Sequence, residues 1–125
     1  MKYIILFTNS PIDYKQGQSV LEPIFPGIEV GETYTYYGSA PRSITLDIDL
    51  EREEDSIEPL PQEMKERIPL NNPYCATLNF HMENMAKKVV AALSSIYPEM
   101  FVYEDQLDWY GTAKEFLDLD YNKMR

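Results

Sequence analysis

The residues best equipped for chemistry in this chain are carboxylates and aromatic side chains, and they cluster. Tyr103, Trp109 and Tyr110 bracket Glu104, Asp105 and Asp108 in the run FVYEDQLDWY. Aromatic anchors set among charges have the composition of a protein-binding hot spot and its polar rim. A second acidic run, LEREEDSIE, supplies Glu51, Glu53, Glu54, Asp55 and Glu58. Of these, Glu51, Glu53, Glu54, Asp55, Glu58, Glu104, Asp105, Asp108, Trp109 and Tyr110 form the candidate partner-binding set. The plainer reading of the first cluster is that Trp109 packs under a C-terminal helix while the acids decorate a turn. The two readings can coexist.

Covalent and metal chemistry are poorly supplied. His81 is the one histidine and Cys75 the one cysteine, so a nucleophile–base dyad would have to use His81. On an extended strand the two are roughly 20 Å apart and cannot touch. One Cys and one His do not fill a structural zinc tetrahedron. Neither EREEDS nor YEDQLD has calcium-loop spacing, and the five glycines are too dispersed to cradle a phosphate. A carboxylate pair for hydrolysis could be drawn from so many acids, but abundance makes that unspecific. The expectation is a non-enzyme with no catalytic residue, cofactor or metal.

Charge narrows the partner. The net charge is −10 and unevenly spread. Residues 47–66 hold nine acids against Arg52 and Lys65, and residues 99–120 hold seven against Lys114. The remainder is slightly basic. Clustered phosphate contacts need Lys and Arg, so direct nucleic-acid binding is disfavoured. A basic protein partner fits, with long-range steering of the encounter; the bland alternative is that acids keep the protein soluble. A single cysteine suits a reducing cytoplasm. The longest apolar run, at 3–7, is strand-sized, far short of a membrane span and too short for a signal peptide.

The elements that must position these residues follow from periodicity. Residues 2–8, KYIILFT, read as a buried strand closed by Asn9-Ser10-Pro11. From 12 to 31 scattered proline and glycine predict a long surface connection with at most a turn of helix near Val20-Leu21-Glu22. Residues 32–37 and 43–51 read as strands. In the second, Ile44, Leu46, Ile48 and Leu50 alternate with Thr45, Asp47, Asp49 and Glu51, which predicts one buried and one solvated face. Residues 62–68 form two helical turns with Met64 and Ile68 inward. A strand over 76–82 places Ala76, Leu78, Phe80 and Met82 on one face. Asn84 then caps the main helix, whose stripe runs through Met85, Ala86, Val89, Val90, Leu93, Ile96 and Tyr97 until Pro98. A short strand at 100–103, an acidic turn and an extended Trp109-Tyr110 follow. Thr112 and Glu115 make a capping box, and Phe116, Leu117 and Tyr121 bury the last helix. The sum is a single α+β domain over 1–125. Its sheet is mostly antiparallel or mixed, with the 84–97 helix on one face.

The run AKKVVAALSSIYPEMFVYEDQLDWYGTAKEFL, roughly the last third of the chain, resembles the closing segment of several bacterial polymorphic or contact-dependent toxin immunity families. There a helix leads into an aromatic strand, an acidic turn and a second helix; this chain has Gln106 and Leu107 where a glycine turn is expected. The resemblance implies a small cytoplasmic protein, monomer or homodimer, that occludes a basic toxin such as a nuclease. An acidic chaperone for a secreted protein and a small carboxylate-dependent hydrolase are the alternatives.

Overall fold

The amino-terminal strand β1 (Lys2–Thr8) sits inside the sheet rather than at its edge. It pairs antiparallel with β5 (Tyr74–Phe80) on one side and with β6 (Phe101–Glu104) on the other. The computed structural model describes residues 2–31, 34–38, 43–52, 62–70 and 73–124. Beyond β5 lie β4 (Ile44–Arg52), β3 (Tyr34–Tyr37) and the two-residue β2 (Glu29–Val30); beyond β6 lies β7 (Trp109–Thr112). The seven-strand order is β2-β3-β4-β5-β1-β6-β7, and every pairing is antiparallel. The expected α+β class is therefore correct, with an antiparallel sheet.

Alternation sorts the sheet into two faces. On the inner face Ile4 and Leu6 of β1, Ile44 and Leu46 of β4, Ala76, Leu78 and Phe80 of β5, and Val102 of β6 are all essentially inaccessible. They pack in one cluster with Met85, Ala86, Val89, Val90 and Leu93 of α3 (Glu83–Ser94). Each such aliphatic burial contributes about 1.5–3 kcal/mol, far more than a helix end. That balance explains α3's start: Met82, not Asn84, occupies the N-cap and makes no side-chain cap bond. A missing cap costs about 1 kcal/mol. The β5 ladder ends where Phe80 faces Lys2 and Ile44, so the chain turns into helix at once and Met82 is not part of the strand. Glu83, in the first helical turn, pairs with Lys2 at 3.2 Å.

The 12–31 segment departs most from expectation. It holds α1 (Tyr14–Leu21), and Ile12, Leu21, Phe25 and Ile28 are buried in the main cluster. Asp13 caps the helix, its carboxylate accepting the Lys15 and Gln16 N–H groups at 2.8 and 3.4 Å. The Tyr97 hydroxyl accepts the Asp13 N–H at 2.9 Å, tying the start of α1 to the segment after α3. The helix is short and polar, with Gly17 at its centre, so its local signal is weak, and packing beside α3 supplies what propensity does not. The cluster continues through α4 (Ala113–Leu117) and Tyr121 of α5 (Tyr121–Met124).

Gly17 is buried against Leu93, and a Cβ there would meet Leu93 Cδ2 at an ordinary 3.8 Å. Gly17→Ala should therefore raise unfolding stability by about 0.5–1 kcal/mol. A lower urea midpoint would contradict this packing of α1.

Candidate functional site

The hairpin that carries the candidate residues is built by pairing. β6 and β7 align Tyr103 with Tyr110 and Glu104 with Trp109, and residues 105–108 make the turn. The chain reverses without glycine because Asp108 takes the left-handed conformation, φ 47°, which Asp adopts more readily than bulky residues. The Asp108 N–H donates to the Asp105 carbonyl at 3.3 Å. Thr112 then starts α4 with both halves of the expected capping box, at 3.1 and 2.9 Å.

Alternation divides the candidates. Tyr103 and Tyr110 project from the outer face, with ring centroids 4.7 Å apart and planes inclined by 45°. Asp105 and Asp108 are exposed at the turn. The Tyr3 hydroxyl donates to Asp105 Oδ1 at 2.8 Å, and the Tyr103 hydroxyl to Asp108 Oδ1 at 3.4 Å. These surroundings disfavour a phenolate. Burial, then the charges of Asp105 and Asp108, push Tyr103 up to about 12. The Asp105 hydrogen bond raises Tyr3, and burial followed by Asp108 raises Tyr110. All three stay neutral donors at physiological pH.

Glu104 and Trp109 take the other face, which corrects their assignment to an outward patch. Glu104 is 0 % exposed. Its Oε1 accepts the Gln106 N–H at 2.8 Å, and its Oε2 accepts the Tyr121 hydroxyl. Burial raises its pKa above the ordinary carboxylate value, while the Tyr121 and Gln106 donors act in the opposite sense. The same burial and the Glu104 hydrogen bond raise Tyr121. Trp109 is half-buried, 6.1 Å from the Phe116 ring, and lies over Gly111. Its indole lines a shallow cleft with Glu115, Asp118 and Lys123. Both residues serve to dock the C-terminal helices.

Of the first acidic run, Glu53, Glu54, Asp55 and Glu58 lie outside the described residues. Glu51 is on β4, but its side chain is likewise outside them. The helix that follows, α2 (Gln62–Arg67), does reach the hairpin: the Arg67 guanidinium carbon stands 3.9 Å from the centre of the Tyr110 ring. Cys75 is half-buried on β5, and His81 half-buried at the bend beyond it.

The outer face extends well past the hairpin. Register places Asp47, Thr77, Ile5, Tyr103 and Tyr110 in one row across five strands, and Tyr36, Thr45, Asn79 and Tyr3 in the next. Asn79 Nδ2 donates to Asp47 Oδ2 at 3.4 Å. Tyr3, Tyr36 and Arg67 belong to this face although they are not among the sequence's ten candidates. The alternation of KYIILFT could have placed Tyr3 opposite Ile4 and Leu6, but no local signal announces that Arg67 meets Tyr110. Comparison with protein-family models, curated proteins and solved structures finds no match to the chain.

Two measurements test the inner side of this hairpin. A Cβ at Gly111 would fall 2.4 Å from Trp109 Cη2 and 2.6 Å from Cζ2. Gly111→Ala should therefore cost about 1–3 kcal/mol and red-shift tryptophan emission; unchanged emission and stability would contradict the packing. Glu104 has a folded pKa above its ordinary 4.5. The folded state thus holds the proton more tightly, and stability from this group falls as pH rises above about 4.5 toward the folded value. Relative to Glu104→Gln, the wild-type chain should lose ground from pH 4 to 8 in urea melts, and parallel curves would refute the buried carboxylate.

Proposed function

We propose that this protein is a binding protein of the toxin-immunity kind, which covers a basic partner with the outer face of its sheet. The observation that carries the reading is the composition of that face. Tyr36, Asp47, Tyr3, Asp105, Tyr103, Asp108 and Tyr110 are exposed or half-exposed on this face and at its hairpin end. Six strands, β3 to β7 by way of β1, span about 24 Å at sheet spacing. One partner's share of a standard interface, roughly 800 Å², is a patch about 28 Å across, similar to that span.

The physical roles divide cleanly. Exposed acids such as Asp47, Asp105 and Asp108, with the added charge of the acidic run at 51–58, raise the encounter rate with a basic surface by long-range attraction. The tyrosines provide rigid apolar area with a polar tip, the usual source of binding energy once water is excluded. Blockade is then steric, and no bond is made or broken. A secreted-protein chaperone would need an apolar groove; among the described residues the exposed large apolar side chains are Ile24 and Tyr36.

The test is co-expression with the product of the neighbouring reading frame, which this proposal expects to carry a toxin domain. Growth should be rescued, and Asp47→Lys combined with Asp105→Lys should lose the rescue while the melting temperature stays near wild type. Charge reversal at Glu53, Glu54 and Asp55 should slow association about tenfold at low salt and flatten its salt dependence. Rescue unaffected by all of these changes would remove this face and these acids from the interface.

A further inference from the structure

We infer that the Tyr103–Tyr110 pair is an arginine-binding subsite of the outer face, occupied in the free protein by the chain's own Arg67, and that a basic protein partner seats one of its arginines there instead. The inference deepens the binding reading above and depends on it for the partner's basic character. What points to a guanidinium is that one is already in place: the Arg67 carbon lies 3.9 Å from the Tyr110 ring centre, well within cation–π range. Tyr103, 4.7 Å from Tyr110 and tilted 45° to it, supplies a neighbouring aromatic surface.

Acceptors surround the rings. Burial, then the charges of Asp108 and Glu63, raise the Tyr110 pKa, with Arg67 acting in the opposite sense. Asp105 and Asp108 are exposed at the end of the same hairpin, each held by a tyrosyl hydroxyl. A planar fork that stacks on an aromatic ring while donating to carboxylates is the chemistry of arginine rather than lysine, whose ammonium is a compact and strongly hydrated point charge.

The internal occupant is built to leave. Arg67 is the last residue of a six-residue helix and is exposed. Among the described residues no carboxylate forms an ion pair with it, and its guanidinium rests on the Tyr110 ring. An exposed cation–π contact is weak enough to exchange for an equivalent group that arrives with further contacts. Arg67 thus keeps the Tyr110 ring covered until a partner's arginine replaces it.

Hexa-arginine and hexa-lysine peptides, titrated calorimetrically at low ionic strength, test this without the partner. The wild-type chain should bind hexa-arginine about two- to fivefold more tightly than hexa-lysine. Arg67→Gln should widen that preference, because the competitor is gone. Tyr110→Phe should keep the preference and Tyr110→Leu should abolish it; if Tyr110→Leu does not fold, the Phe and Gln variants decide. Equal affinity for the two peptides in the wild type overturns the subsite and leaves the acidic-face reading intact. A preference that persists in Tyr110→Leu, or is unchanged in Arg67→Gln, also overturns it. Failure of both peptides to bind overturns the subsite and the acidic-face reading together.

Discussion

Everything in this molecule depends on β1 being paired along both of its sides. Because Lys2–Thr8 bonds to β5 and β6 together, segments from the two ends and the middle of the chain share one pleat. Strand alternation then applies across them all. Ile4, Leu78, Leu46 and Val102 fall on one face and meet α3. Tyr3, Tyr103 and Asp47 fall on the other and meet solvent. A one-residue slip in any strand would exchange the two sets, so the core and the proposed binding face are specified by the same hydrogen bonds.

The buried carboxylate of Glu104 is the costliest consequence of that parity. An inward acid is tolerated because both of its oxygens are bonded, one by the Gln106 N–H and the other by the Tyr121 hydroxyl. Removing a carboxylate from water is unfavourable unless its lone pairs are satisfied. Here the satisfaction comes from the turn and from the last helix, so the same bond fastens the end of the chain to the sheet. Lys87 adds to this fastening, donating to the Leu119 carbonyl while its ammonium faces the Tyr121 ring at 5.9 Å. Trp109 and Phe116 fill the space between, which Gly111 leaves open by lacking a Cβ.

On the outer side the tyrosines and carboxylates form a complementary set. Neighbouring carboxylates and burial keep the phenols protonated, and the phenols in turn orient the carboxylates. The result is a neutral, rigid aromatic surface rimmed with charge, the arrangement the binding proposal rests on. The contact of Arg67 with Tyr110 links that surface to the helix following the acidic 53–58 segment, so two regions forty residues apart in sequence meet at one ring.

Much of this was legible in the residues alone. Period-2 alternation in SITLDIDLE and the three-and-four spacing in 84–97 are local properties, and they determined the α+β class and the covering helix but left the sheet antiparallel or mixed. The Thr112–Glu115 box needs only four residues and was equally readable. Three features were not. The helix at 14–21 has a weak local signal and a central glycine, and it exists because Leu21, Phe25 and Ile28 find a core that the segment cannot display by itself. The aromatic and acidic residues between Tyr103 and Tyr110 read as one patch in sequence but are split by alternation and register, which send Glu104 and Trp109 inward and Tyr103 and Tyr110 outward. Arg67 reaches Tyr110 only through the path of the chain in space. Local pattern determined which elements form and which face of each is apolar. Tertiary pairing decided which polar residues share a surface, because pairing partners and docking contacts join residues far apart in the chain.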